Sequence, residues 1–227
     1  MKKSIITIDG PAGSGKSTVA RILAEKLKFL YLDTGAMYRA VALYFIKNNL
    51  NYQNELENLK SILENINISF HHDPDQSLVK LNGKIVESEI RTPEVTELAS
   101  PLSALPEVRT RLISMQREIG KNKNLVCEGR DMGTVVFPHA ALKIFLVAQV
   151  DQRVKRRLLD LQKKGIPTDF AKLKKQMEIR DYRDSHRNLS PLKPADDAVE
   201  VDTTSLSIQQ VVNKIMQLFE KNLGKTQ

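Results

Sequence analysis

The chain has 227 residues, enough for one globular domain with a sizeable insertion, and its 41% hydrophobic content supports a buried core. The net charge of +8, from 35 basic against 27 acidic residues, suits a polyanionic partner such as a nucleotide or a nucleic acid. One cysteine excludes an intrachain disulfide, and no stretch is long and apolar enough to span a membrane.

Met1-Lys2-Lys3 imitates the start of a secretory signal, but the apolar run behind it is short and ends at Asp9. With the lone Cys127 read as strand filler, a cytoplasmic protein is expected. Ser4 to Ile8 is rich in β-branched residues and reads as a buried strand. Gly10-Pro11-Ala12-Gly13-Ser14-Gly15-Lys16-Ser17, followed by Thr18, fits the G-x-x-x-x-G-K-[ST] phosphate loop. Val19, Ile22, Leu23 and Leu27 then mark one face of a helix. Strand, glycine loop and helix aim backbone N–H groups and a helix N-terminus at phosphate. Lys16, expected to face solvent, reaches the β- and γ-phosphates, and the Ser17 hydroxyl ligates Mg²⁺.

Phe29 to Leu32 reads as a second strand, Asp33-Thr34-Gly35 as a turn in which Thr34 or Gly35 caps the next helix. That helix buries Met37, Val41, Tyr44 and Phe45 and leaves Tyr38 and Arg39 off the stripe, near a strand end where ligand sites of α/β sheets collect. Glu55 to Glu64 reads as a helix with Leu56, Leu59 and Leu63 on one face. Between Ile68 and Ile90 the pattern becomes a small antiparallel insertion, with Asn82-Gly83 predicting a type I′ hairpin.

Thr92-Pro93 reads as an N-cap with proline at N1, heading a short helix to Ser100 that Pro101 interrupts. Pro106 starts a longer one with Val108, Leu112, Met115 and Ile119 inward, stopped by Gly120. Ser100 and Arg109, taken alone, face outward as surface residues. Asn124 to Cys127 is a strand ending in the turn Glu128-Gly129-Arg130-Asp131, whose crowded charges are hard to explain as packing. An acid placed there often polarises a Mg²⁺ shell.

Leu142 to Val147 is a further parallel-type strand, and Asp151 caps a helix with Val154, Leu158 and Leu161 inward. Cations crowd from Arg153 to Arg187, Lys164 among them, over two helices broken at Gly165-Ile166-Pro167. A basic hairpin of this kind serves either as a solvated face or as a lid over phosphates. Arg180, Asp184 and Arg187 share one helical face, and His186 reads as surface. Ala198 to Val201 is a last strand, Ser205 to Asn222 a core helix, and Leu223 to Gln227 a frayed tail.

Alternating strands and helices after a phosphate loop imply a parallel sheet with helices on both faces. Asn122-Lys123-Asn124-Leu125 lacks the acid of a guanine-reading N-K-x-D. The arginines Arg39, Arg130, Arg157, Arg180, Arg183 and Arg187 favour a small-molecule kinase, since guanidinium suits bidentate phosphate contact.

Ile8 to Thr18, Leu32-Asp33-Thr34-Gly35-Ala36-Met37-Tyr38-Arg39, Glu128-Gly129-Arg130-Asp131 through Pro138, and Arg180 to Asp184 with Pro191-Leu192 and Asp196-Asp197-Ala198 together resemble the bacterial-type cytidylate kinases, nearly end to end. The resemblance implies a P-loop NTPase fold of the three-layer α/β/α class with a five-stranded parallel sheet, an NMP-binding insertion with a small antiparallel β element, and a helical lid. It implies one kinase domain, with a core at about 1–34, 106–150 and 188–227, an NMP-binding region at about 35–105 and a lid at about 151–187. It implies transfer of the γ-phosphoryl of ATP to CMP or dCMP with Mg²⁺, by a monomer with no nucleic-acid or membrane partner.

Carried over by motif, Gly10 to Thr18 hold ATP, Arg39 and Arg130 hold the CMP phosphate with Thr34 and Tyr38 beside it, and Ser100, Arg109 and Asp131 read the cytosine edge. Arg180, Asp184 and Arg187 surround ribose and phosphate, while Arg157 and Arg183 reach the ATP phosphates. Catalysis is then shared by Lys16, Arg130, Arg157 and Arg183. The rivals are a kinase for another nucleotide or for shikimate, and a P-loop nucleic-acid-binding protein motivated by the net charge.

Overall fold

A computed structural model describes residues 3–72, 77–163 and 165–224. Met1 and Lys2 of the signal-like start, Lys164 of the basic run and residues 225–227 of the tail lie outside them. By compactness the chain forms two units, one of Met1–Tyr31 with Asn122–Gln227 and one of Leu32–Lys121.

The first unit is built on the parallel sheet. β1 (Ile5–Asp9) pairs in parallel with β6 (Leu125–Gly129) and β7 (Leu142–Val147), and β7 with β8 (Val199–Asp202). With β2 (Leu30–Asp33) the order is β2-β6-β1-β7-β8. The register sets Ile8 beside Glu128 and Asp9 beside Gly129, so the strand ends that carry the charged motifs are level. The central strands are buried runs, as a covered parallel sheet requires. Ile6, Ile8, Ile144 and Leu146 pack with Val19 and Leu23 of α1 (Lys16–Leu27) and with Val212, Ile215 and Phe219 of α8 (Ile208–Gly224). Phe29 meets Phe219 edge to face, with ring centroids 5.8 Å apart. Cys127 is buried in β6, as strand filler would be.

The basic segment folds into α6 (Val150–Lys163) and α7 (Phe170–His186). Val154, Leu161, Leu173 and Met177 form their apolar seam, against which Ala12 of the glycine loop packs. Gly165 turns between them with φ +69°. Asp151 lies in the first turn of α6, which already begins at Val150, and its carboxylate pairs with Lys174 of α7 at 2.7 Å instead of capping the helix. α7 has its own N-cap in Asp169, whose side chain accepts from Lys172 N.

The second unit holds α2 (Thr34–Lys47), α3 (Leu59–Glu64), the antiparallel sheet β3 (Ile68–His72), β4 (Ser77–Leu81) and β5 (Lys84–Ile85), then α4 (Pro93–Leu102) and α5 (Pro106–Gly120). Its interior includes Met37, Val41, Phe45, Leu59, Val79, Ile90, Leu102 and Leu112. Asn82 (φ 48°) and Gly83 (φ 82°) make the expected I′ hairpin. The Asn82 side chain also accepts from Asn67 N at 2.8 Å and donates to Asn65 O, tying the turn to the entry of β3.

Several local expectations change. α3 starts only at Leu59, and Leu56 is 53% exposed. Asp33, not Thr34 or Gly35, caps α2, accepting from Ala36 N at 2.9 Å. α4 begins at Pro93 with Thr92 as its cap but runs through Pro101 to Leu102.

Candidate active site

α1 starts at Lys16 behind Gly15, with no side chain capping its first amides, which leaves that N-terminus for an anion. Gly10 is forced: a Cβ there would meet the Leu146 carbonyl oxygen at 2.2 Å. Ser17 is exposed and Thr18 half-buried. Lys16 does not face solvent as expected. It is buried, and Nζ folds back to donate to Pro11 O at 2.7 Å. Burial first, then the field of Arg130, pushes its pKa down to about 7, against the opposing pull of Glu128.

Beside the loop, the end of β6 carries Glu128, which accepts from Tyr31 OH at 3.0 Å, then Arg130 and Asp131. The chain next makes a single wide turn, Met132–Val136, closed by Val136 N to Asp131 O and Phe137 N to Met132 O. Asp9 anchors it, accepting from Met132 N at 2.9 Å and Gly133 N at 2.8 Å. Burial lifts Asp9 to about pKa 6 in spite of those two amides. Read in the sequence, Asp9 only ended an apolar run.

Arg130 Nε donates to Asp184 Oδ2 at 2.8 Å, and Arg180 Nε stands 4.0 Å from the same oxygen. Burial pushes the Asp184 carboxyl up, but Arg130 and Arg180 together hold it below the ordinary value. Arg187 Nη2 lies 3.8 Å from Asp131 Oδ1. The structure thus brings Lys16, Arg130, Asp131, Arg180, Asp184 and Arg187 into one charged cluster in this unit. Arg157 is half-buried on α6, and Arg183 is exposed on α7. His186 is exposed, stacked on Tyr182 with centroids 4.0 Å apart.

Two arginines in the basic run escaped the sequence reading. Arg153 donates to Ala148 O and to Ala12 O, each at 3.0 Å, and to Asp181. Arg156 Nη1 donates to Thr203 Oγ1 at 3.0 Å, and that hydroxyl reaches Ser14 O at 3.1 Å. Both brace the phosphate loop, and in sequence nothing separates them from solvated neighbours.

In the second unit, Asp33 holds Arg39 at 2.9 Å and Arg91 at 3.1 Å. Burial raises the Asp33 carboxyl, and the two guanidiniums more than offset it. Thr34 is buried at the head of α2. Arg109 donates to Ser103 O at 3.1 Å, and its guanidinium stands 5.8 Å over the Tyr38 ring. Ser100 and Arg109, expected at the surface, are buried, at 8% and 2% exposure. Helical periodicity alone does not reveal that this serine of α4 and this arginine of α5 are covered.

The family model described as "Cytidylate kinase" matches residues 6–221. A cytidylate kinase of Lactobacillus johnsonii is 47% identical over 95% of this chain and 94% of its own length. One of Streptococcus pneumoniae is 50% identical over 98% of this chain and 100% of its own. Among solved structures, an uncharacterized protein from Eubacterium ventriosum superposes with a TM-score of 0.52 at 14% identity, covering 97% of this chain and 99% of that one, a likeness of fold alone. With the family model spanning nearly the whole chain and relatives at such identity, the chain belongs to the cytidylate kinase family.

Proposed function

We infer that the chain transfers the γ-phosphoryl group of ATP to CMP or dCMP, giving CDP or dCDP and ADP, in pyrimidine nucleotide metabolism. The observation that carries this reading is the cluster around Lys16. Arg130 and Arg180 both act on its ammonium, and Arg130 is tied to Asp184 on α7. Phosphoryl transfer asks for positioning and charge neutralisation without a covalent nucleophile.

In this reading Gly10 to Thr18 cradle the ATP phosphates, and Lys16 swings from Pro11 O to the β- and γ-oxygens. Incoming phosphate restores its charge, since an anion raises a lysine that burial has lowered. Arg130, Arg157 and Arg183 join Lys16 in neutralising the transferred group. Arg39, with Thr34 and Tyr38, takes the CMP phosphate together with Arg130. Arg180, Asp184 and Arg187 surround ribose and phosphate, Asp184 exchanging Arg130 for the sugar hydroxyls. Asp131, Ser100 and Arg109 read cytosine, since a carboxylate accepts from N4 while guanidinium donates to O2 or N3.

Mg²⁺ suits the oxygen donors here. It keeps several waters and takes few protein ligands beside phosphates. The exposed Ser17 hydroxyl next to Lys16 would hold it, with Asp9 and Glu128 orienting its waters. When bound, it would neutralise charge on the β- and γ-phosphates. The helical pair α6–α7 would act as the lid, residues 35–105 as the CMP-binding region and the remainder as the core.

The enzyme would work as a monomer on free nucleotides, with no nucleic-acid or membrane partner, in the cytoplasm, where its free Cys127 stays reduced. A coupled assay with ATP, Mg²⁺ and a panel of CMP, dCMP, UMP, dTMP and shikimate tests the reading. Turnover of CMP and dCMP far above the others is expected, and a different preferred acceptor overturns it. Salt-sensitive RNA binding without turnover would point to the nucleic-acid rival. Light scattering on the purified enzyme checks the monomer.

A further inference from the structure

Arg153 has 5% of its side chain exposed, and its guanidinium joins three separate parts of the first unit. Nε donates to Ala148 O just after β7, and Nη1 donates both to Ala12 O in the phosphate loop and to Asp181 Oδ2 on α7. A guanidinium this deep must have its donors met, and its fixed fork lets it hold several acceptors at set angles.

The backbone tells the same story. A Cβ at Gly13 would lie 2.9 Å from Arg153 O and 3.1 Å from Met177 Cε of α7, and Ala12 packs into the apolar seam of α6 and α7. The loop is therefore in direct contact with both helices. Asp181 precedes Asp184 by one turn, so α7 presents two carboxylates on one face, one taken by Arg153 and one by Arg130.

From this geometry we propose that Arg153 is a positioning residue that couples the phosphate loop to α7, one guanidinium holding the Ala12 carbonyl and the Asp181 carboxylate together. The loop shape that receives ATP then fixes the helix carrying Arg180, Arg183 and Asp184. The proposal rests on the kinase reading of this same site. A lysine at 153 would put all its donors on one nitrogen and lose the separate Nε bond to Ala148 O, so the group that meets Ala12 O and Asp181 would no longer be held at its set angle.

The test uses the full chain with Asp181→Ala, Arg153→Lys and the double variant. The signature is an effect at a distance: Asp181 is on α7, yet its loss should weaken MgADP binding by calorimetry about tenfold and lower kcat for CMP by a similar factor. The double variant should be no worse than the more severe single one, because both break one link. The proposal is overturned if Asp181→Ala binds MgADP as tightly as wild type, if it loses thermal stability alone, or if the two losses multiply in the double variant. A wild-type enzyme that fails to phosphorylate CMP would sink the functional reading instead, and the MgADP arm would still decide the coupling.

Discussion

The Nε of Arg130 stands 2.8 Å from the Asp184 Oδ2, joining the end of β6 to α7 by an ion pair whose side chains are 17% and 6% exposed. Removing the carboxylate strands a largely buried cation. Asp184→Ala should therefore destabilise the ligand-free protein by about 3 kcal/mol, read from the urea midpoint. The folded Asp184 carboxyl lies below its ordinary value of 3.8, so the stabilisation is complete above that value and is lost as pH falls through the folded one. The gap between wild type and variant must accordingly narrow in acid. A gap that stays constant down to pH 2 would contradict the pairing.

Lys16 responds to pH with the same sign, but for the opposite reason: there the charged form is the costly one. Its folded pKa of about 7 lies below the ordinary 10.5, so its favourable contribution is complete above 10.5 and is lost as pH falls through about 7. Near pH 6 the empty protein carries the cost of a buried ammonium. Lys16→Met should raise the stability of the empty protein there by roughly 1–3 kcal/mol, while kcat falls by at least about a hundredfold. Urea unfolding at pH 6 and pH 9, beside a CMP assay, reads both. A less stable variant, or one that keeps wild-type turnover, would break this account.

What could be read in the sequence divides along physical lines. Features set by neighbours in the chain were legible: the glycine loop, the Asn82-Gly83 hairpin and the Thr92 cap each need only a few adjacent residues. The parallel strands were legible because burial on both faces leaves a continuous apolar run. Ser100 and Arg109 were not, because an arginine on a helix reads as a solvated face until the elements packed over it are known. Arg153 and Arg156 were masked by the same effect, surrounded by cations that do face water. Asp33 does not stand out as a cap in the sequence because Thr34 and Gly35 fit as well, and only the strand running on to Asp33 decides between them. Asp9 ended an apolar run, and its two amide partners come from residues more than a hundred positions away.

Selectivity gives a third expectation. Asp131 is buried and faces Arg187 across 3.8 Å. A cytosine N4 amino group donates to such a carboxylate, whereas the C4 carbonyl of uracil is repelled by it. Asp131→Ala should cut kcat/KM for CMP while sparing UMP, so that their ratio falls by about tenfold or more. An unchanged ratio would remove Asp131 from base reading.

The three glycines of the phosphate loop should respond unequally to alanine. All have positive φ, namely +148° at Gly10, +75° at Gly13 and +93° at Gly15, so each variant carries backbone strain of about 1–2 kcal/mol. Space then separates them. At Gly10 the new methyl would meet the Leu146 carbonyl at 2.2 Å, and strand β7 cannot move without breaking its pairing with β1. At Gly13 it would press on the Arg153 carbonyl at 2.9 Å and on the flexible end of Met177 at 3.1 Å, so part of the strain relaxes. At Gly15 nothing lies within 4 Å, and only the φ strain remains. The loss in Tm should thus run Gly10→Ala, then Gly13→Ala, then Gly15→Ala. MgADP affinity should not follow that order at Gly13, where the displaced backbone is that of Arg153 itself and the loop is pushed away from α6. A Gly13→Ala enzyme with modestly lowered Tm but sharply weaker MgADP binding is the expected pattern. Equal Tm losses at all three positions would mean that the loop does not pack against β7 and α6 as described.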